Sequence, residues 1–228
     1  MKILVSDFDN TLYSENYYEN IRKINEFVDN GNIFIIATGR NFNHLRRDLN
    51  GVYLKFDYLI CNDGAIIFDK NFQIIKRTDI NPKTVDQLIE ELRKSPNIIE
   101  TITDDGFNYF RGKTDNNNVV LGRYIDPIAA QHQIQEMMKK YPDIQGYLSS
   151  HWINIISRDA GKGTAINYLA ELLNWDKNNI YTVGDGINDI SMNQMFKGYC
   201  IEGISHPELI KVSQETVKSV KALIDIIQ

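Results

Sequence analysis

Four short apolar runs each end at polar or acidic residues, with helix-length stretches beside them, and this rhythm restricts the fold more than any other property. Ile3-Leu4-Val5 runs into Ser6-Asp7, and Ile33–Ala37 into Thr38-Gly39. Tyr58–Cys61 meets Asn62-Asp63-Gly64, and Ile180–Val183 meets Gly184-Asp185-Gly186. Strands apolar at every position, rather than every second one, have no face left for water. They belong in a parallel sheet covered by helices on both sides. The helices can be read beside them. Ile21, Ile24, Phe27 and Val28 recur at helical spacing over Tyr17–Asn30, and Asn30-Gly31 stops that helix. A polar helix follows around Asn43–Asn50. Gly161-Lys162-Gly163 leads a helix carrying Ile166, Leu169, Leu172 and Leu173, Tyr199–Ile201 reads as a short strand, and Val217–Ile227 reads as an amphipathic helix. The expected class is α/β, with a doubly wound parallel-sheet core.

The middle of the chain breaks this rhythm. Pro82 opens a helix with Val85, Leu88, Ile89 and Leu92 on one face. Ile98–Thr103 and Asn108–Arg111 read as strands joined by Asp104-Asp105-Gly106. A second helix runs from Asp126-Pro127 to Lys140, and Ile144–Leu148 with Trp152–Ile156 form another strand pair. The polar run Thr114–Asn118 between the halves reads as a loop. This α-β-β-α-β-β pattern predicts an inserted α+β unit at 80–153, interrupting a core made of 1–79 and 154–228. A chain of 228 residues suits one core domain with such an insertion.

Composition mainly excludes. A net charge of −5 argues against a nucleic-acid binder, which needs a basic surface. No apolar stretch approaches the roughly 18 residues of a membrane span, and the first apolar run stops at Asp7, too early for a signal peptide. Cys61 and Cys200 are far apart and read as reduced thiols of a cytoplasmic protein. His44, His132, His151 and His206 match no zinc spacing.

Ligands of a parallel α/β sheet bind beyond the carboxyl ends of its strands. Asp7, Asp9, Thr38, Asn62, Asp185 and Asp189 all fall there. Four carboxylates on one rim repel one another unless a cation offsets them, and an all-oxygen set favours a hard ion, Mg²⁺. Lys162 adds a positive charge, while the Thr38 hydroxyl and the Gly39 N–H can bind an anion. Metal, lysine and hydroxyl neutralise phosphate oxygens while one carboxylate attacks phosphorus. The second protonates the leaving oxygen and then activates water. Asp7 is assigned as nucleophile and Asp9 as general acid/base, although the spacing alone also permits the reverse.

Asp7-Phe8-Asp9-Asn10-Thr11-Leu12 resembles the DxDGT(L/V) signature of the haloacid dehalogenase superfamily. Thr38-Gly39-Arg40 resembles its second motif, Lys162 in Gly161-Lys162-Gly163-Thr164 its third, and Gly184-Asp185-Gly186-Ile187-Asn188-Asp189 its fourth. Asn62-Asp63-Gly64-Ala65, and an insertion before the lysine motif, are similar to the Cof-like IIB branch with a compact C2-type cap. The resemblance implies a Rossmann-like core and a Mg²⁺-dependent phosphatase acting on a small phosphorylated metabolite through an aspartyl-phosphate. It further implies that Asp7, Asp185 and Asp189 bind the metal, with Asp9 contributing its backbone carbonyl. Thr38, Gly39, Lys162 and Asn188 then hold the phosphoryl group. Two departures stand out: Asn10 replaces the usual glycine, and Glu202–His206 lacks the usual small-residue phrase. Substrate-contact candidates are Arg40, Asn62, Asp104, Asp105, Tyr109 and Arg111, whereas Trp152 and Trp175 read as packing residues. A phosphomutase is the nearest rival. A phospho-receiver module also gathers acids, Thr and Lys around Mg²⁺, but it has no insertion and needs only about half this length.

Overall fold

The computed structural model describes residues 1–228. The chain begins with β1 (Ile3–Ser6), α1 (Tyr17–Asp29), β2 (Ile33–Ala37), α2 (Phe42–Leu49) and β3 (Tyr58–Cys61). A single 3₁₀ turn at Asn62–Gly64 leads into β4 (Ile66–Asp69) and β5 (Ile74–Arg77). The insert contains α3 (Pro82–Lys94), β6 (Ile98–Asp104), β7 (Tyr109–Phe110), β8 (Val119–Tyr124), α4 (Pro127–Lys140), β9 (Ile144–Ser149) and β10 (Trp152–Ser157). The return comprises α5 (Lys162–Leu172), β11 (Ile180–Gly184), α6 (Ile190–Met195), β12 (Lys197–Ile201), α7 (Pro207–Val212), β13 (Glu215–Val217) and α8 (Val220–Ile227).

The large sheet has the order β13-β12-β11-β1-β2-β3-β4-β5. Strands from β13 through β3 run parallel, and β4 and β5 turn back antiparallel at the edge. β1 lies inside, with all four residues buried. Its side chains alternate between the two faces. Leu4 joins Phe34, Ile36 and residues of α1 and α8, while Ile3 and Val5 join Ile35 and residues of α5. Two apolar layers on one strand explain its unbroken hydrophobic sequence. The connections leave β1 and β11 in opposite directions, so the crevice at the topological switch point opens beyond these two strands.

The smaller sheet, β7-β6-β8-β10-β9, is antiparallel throughout. Val85, Leu88, Leu92, Ile134 and Met137 of α3 and α4 cover one face, packing on Val120, Tyr124, Ile153 and Ile155. No helix covers the other face. Leu121, Tyr147 and Asn154 stand there in one cross-strand row.

Several elements differ from the sequence expectations. β6 pairs along its length with β8, a strand hidden behind the polar run at 114–118, and shares only two pairs with β7. Gly122 and Arg123 interrupt the apolar pattern of β8, which masked it. Position 154, expected to begin the return to the core, lies inside β10, which pairs with β8 and β9 through Ser157. Val217 belongs to β13. The last helix starts at Val220, where the Ser219 side chain accepts the Ala222 N–H. The hairpin β4–β5 and the short helices α6 and α7 carried no distinct periodic signal. No helix is long and apolar enough to cross a membrane.

Candidate active site

The crevice beyond β1 and β11 holds a tight charge cluster. One carboxylate oxygen from each of Asp7, Asp185 and Asp189 lies within 4.8 Å of the others. Lys162, the first residue of α5, is wholly buried, and its ammonium donates to Asp7 Oδ1 and Asp189 Oδ1, each at 2.6 Å. Asp189 is held further by the N–H groups of Asp185 and Gly186, which donate to Oδ2 at 3.0 and 2.9 Å. That approach requires glycine at 184, because a Cβ there would sit 2.3 Å from the Asp189 carboxyl carbon. Thr11 donates to Asp185 Oδ1 at 3.0 Å.

Burial pushes the Asp7 carboxyl well above its ordinary pKa, and the Asp189 charge adds to this against the opposing pull of Lys162. Asp185 is raised by burial and then by Asp189. Burial alone would lower the Lys162 ammonium, but Asp189 and Asp7 more than offset it, and its pKa ends above that of ordinary lysine. Three carboxylates against one ammonium leave two negative charges in one small volume. The donors are all oxygen and the uncompensated charge is that of a divalent cation, so the cluster fits a hard metal ion.

Asp9 follows Asp7 on a turn closed by Leu12 N–H to Asp7 O and Tyr13 N–H to Phe8 O. Asn10, at φ 58°, takes the left-handed conformation for which the family motif carries glycine. The Asp9 carboxylate accepts Nε and Nη2 of Arg40 at 2.8 and 2.6 Å. Arg40 also pairs with Asp48 and lies 4.9 Å from the Phe8 ring centroid. Asp7, Asp9, Gly39, Arg40, Asn188 and Tyr109 all line one cavity of about 270 Å³. Thr38 is buried beside it, its Oγ1 accepting the Arg40 N–H at 3.1 Å.

Of the proposed substrate contacts, only Arg40 and Tyr109 line this cavity. Asn62 is buried and donates instead to Asn118 Oδ1 at 2.7 Å. Asp104 is 2% exposed and accepts Asn41 Nδ2 and the Gly106 N–H, while Asp105 caps its own turn by accepting the N–H groups of Phe107 and Asn108. The turn carrying them is docked on the large unit by Phe107, whose ring lies 5.6 Å from Phe42 and 5.8 Å from Phe68. Gly106, at φ +95°, is needed there, because a Cβ would fall 2.0 Å from Ile66 Cδ1. Arg111 is exposed on the outside of the insert, where its carbonyl accepts Arg93. Trp175 packs edge-on to Tyr58, as expected of a packing residue, but Trp152 lines a cavity on the open face of the small sheet.

Two residues of the site were not among the site candidates read from the sequence. Asp63, at φ 54° and 4% exposed, accepts Asn188 Nδ2 at 2.8 Å and Tyr147 Oη at 2.6 Å. It presses against Gly39, where a Cβ would come within 3.1 Å of its Oδ1. Tyr147 belongs to the insert and stands between two cavities of about 270 Å³ each. Burial raises its hydroxyl pKa well above normal, and the Asp63 charge raises it further. The alternation Tyr147, Ser149, Trp152, Asn154 is the one hint that these side chains share a face.

The model of the haloacid dehalogenase-like hydrolases matches residues 4–124 and 110–222. The chain belongs to that family and is a phosphoric monoester hydrolase of Cof-like type. A Buchnera aphidicola protein that carries a provisional phosphatase name is 26% identical, covering 90% of this chain and 87% of its own. A Bacillus subtilis 5-amino-6-(5-phospho-D-ribitylamino)uracil phosphatase is also 26% identical, over 84% of this chain and 80% of its own. A solved subclass IIB sugar phosphatase shares the fold at TM-score 0.82 and 17% identity, covering 100% of this chain and 98% of that one.

Proposed function

We propose that the chain is a Mg²⁺-dependent phosphatase that hydrolyses a small phosphorylated metabolite through an aspartyl-phosphate on Asp7. The observation carrying this is the buried Lys162 shared between Asp7 and Asp189 at 2.6 Å each, beside a third carboxylate. Asp7, Asp185 and Asp189, with the backbone carbonyl of Asp9, would hold the ion. Bound there, Mg²⁺ neutralises phosphate oxygens and offsets the mutual repulsion of the carboxylates.

The Asp7 carboxylate attacks phosphorus and the ester P–O bond breaks. Asp9 gives its proton to the departing alcohol oxygen. Water then attacks the aspartyl-phosphate, Asp9 takes back a proton, and inorganic phosphate leaves with Asp7 restored. Arg40 holds the Asp9 carboxylate through two hydrogen bonds, and substrate must draw Arg40 away before Asp9 can carry the proton it gives. Lys162 and the hydroxyl of Thr38 hold the equatorial phosphate oxygens, supported by Asn188. The insert between β5 and α5 acts as a lid, with the hinge passing after Ser157 rather than at 154.

Phosphate release from p-nitrophenyl phosphate tests this reading. Asp7→Asn should lower kcat by about 10³-fold or more, and excess EDTA should abolish turnover until Mg²⁺ is restored. Full activity in either case removes the mechanism. Dependence on an added bisphosphate, with phosphate returned to substrate, would identify a phosphomutase.

A further inference from the structure

The open face of the small sheet bears on the alcohol half of the substrate, the part that the phosphate chemistry leaves undefined. Strand register sets its side chains in rows. Tyr147, Asn154, Leu121 and Ile102 form one, and Ser149, Trp152 and Arg123 the next. A cavity of about 360 Å³ lies against them, lined by Ile102, Tyr109, Leu121, Ser149, Trp152 and Asn154. It is continuous with the phosphate cavity, because Tyr109, Ser149 and Asn154 line both.

The charged groups sit around this space rather than in its walls. Asp7, Asp9 and Asp185 line the phosphate cavity. The cations near them are already committed, Arg40 to Asp9 and Asp48, and Lys162 to Asp7 and Asp189. Arg123 lies 6.0 Å from the Trp152 ring centroid and, with Ile99 and Trp152 itself, lines the adjoining hollow. Four of the six walls of the outer cavity are aromatic or aliphatic, and the other two, Ser149 and Asn154, are neutral hydrogen-bonding groups.

Resting on the phosphatase reading above, we propose that the substrate alcohol carries a planar ring. The ring packs against Trp152 and Tyr109, while Ser149 and Asn154 hydrogen-bond its polar edge or the chain linking it to the phosphate. Trp152 and Tyr109 are thus specificity-determining residues.

Matched substrates separate the ring from the rest of the molecule. With Mg²⁺ present, uridine 5′-monophosphate is compared with ribose 5-phosphate, and pyridoxine 5′-phosphate with glycerol 3-phosphate. In at least one pair the ring-bearing member should have kcat/KM about tenfold or more above its partner. Trp152→Ala should bring that ratio toward one, mainly through KM, and Trp152→Phe should restore much of it. Tyr109→Leu, at a position 41% exposed, provides a second test if Trp152→Ala folds poorly. Ratios near one in both pairs overturn the proposal.

Calorimetric binding of the same pairs to the Asp7→Asn variant separates the two readings. Tighter binding of a ring-bearing member without turnover in the wild type would refute only the phosphatase reading. Turnover without ring preference in either assay would refute only the ring.

Discussion

Two of the contacts between the insert and the large unit differ in kind. At the β6–β7 turn, Phe107 enters an aromatic cluster with Phe42 and Phe68, and the Phe42 N–H donates to Gly106 O at 2.9 Å. At β9, Tyr147 reaches across with one hydroxyl, donated to Asp63 beside the cavity lined by Asp7 and Asp9. The first contact is burial, which is strong and non-directional. The second is a single directed hydrogen bond, modest in net stability but demanding in geometry. One junction therefore anchors the insert, and the other aligns it with the chemistry.

Substitutions at the two junctions should separate stability from activity. Phe107→Ala should cost about 2 kcal/mol of unfolding free energy, below the range for a fully buried phenylalanine because this one is partly exposed. Urea denaturation measures this, with a smaller proportional change in kcat/KM. Tyr147→Phe should do the reverse, changing stability by about 1 kcal/mol or less while lowering kcat/KM about fivefold. If Tyr147→Phe proved as destabilising as Phe107→Ala, the distinction between anchor and aligner would be lost.

The smallest effect concerns pH at the anchor. Burial raises the Asp104 carboxyl above its ordinary value, opposed by hydrogen bonds from Asn41 and Gly106. A raised acid favours the folded state when protonated. Its contribution is complete below the unfolded pKa and is lost as pH rises through the folded one. The stability of wild type relative to Asp104→Asn should therefore decline over that interval, as melting curves at a series of pH values would reveal. A difference independent of pH would show that the Asp104 charge does not matter at this turn.

The large unit is far more legible in the sequence than the insert. Its chemical residues come directly after apolar runs that can only be buried strands, so hydrophobic pattern alone places Asp7, Thr38 and Asp185 at strand ends. Lys162 announces itself at a helix start. The insert offers no such frame. Asp104 and Asp105 look available because acidic turn residues usually face water, yet Phe107 pulls the turn onto the core. Asp63 sits within a recognisable phrase, but its role depends on neighbours that the phrase does not contain. Its three-way contact joins residues separated by 84 and 125 positions.

The sequence by itself determined the doubly wound core and the set of carboxylates with their lysine. Those depend on local hydrophobic continuity and on the polar residues that close each strand. Tertiary structure alone decided that β8 pairs with β6, that Arg40 holds Asp9, and that Tyr147 and Trp152 face the site. These depend on antiparallel register and on which face of a strand its helices happen to cover. Side chains alternate every residue, so periodicity identifies two faces but cannot say which one meets the active site.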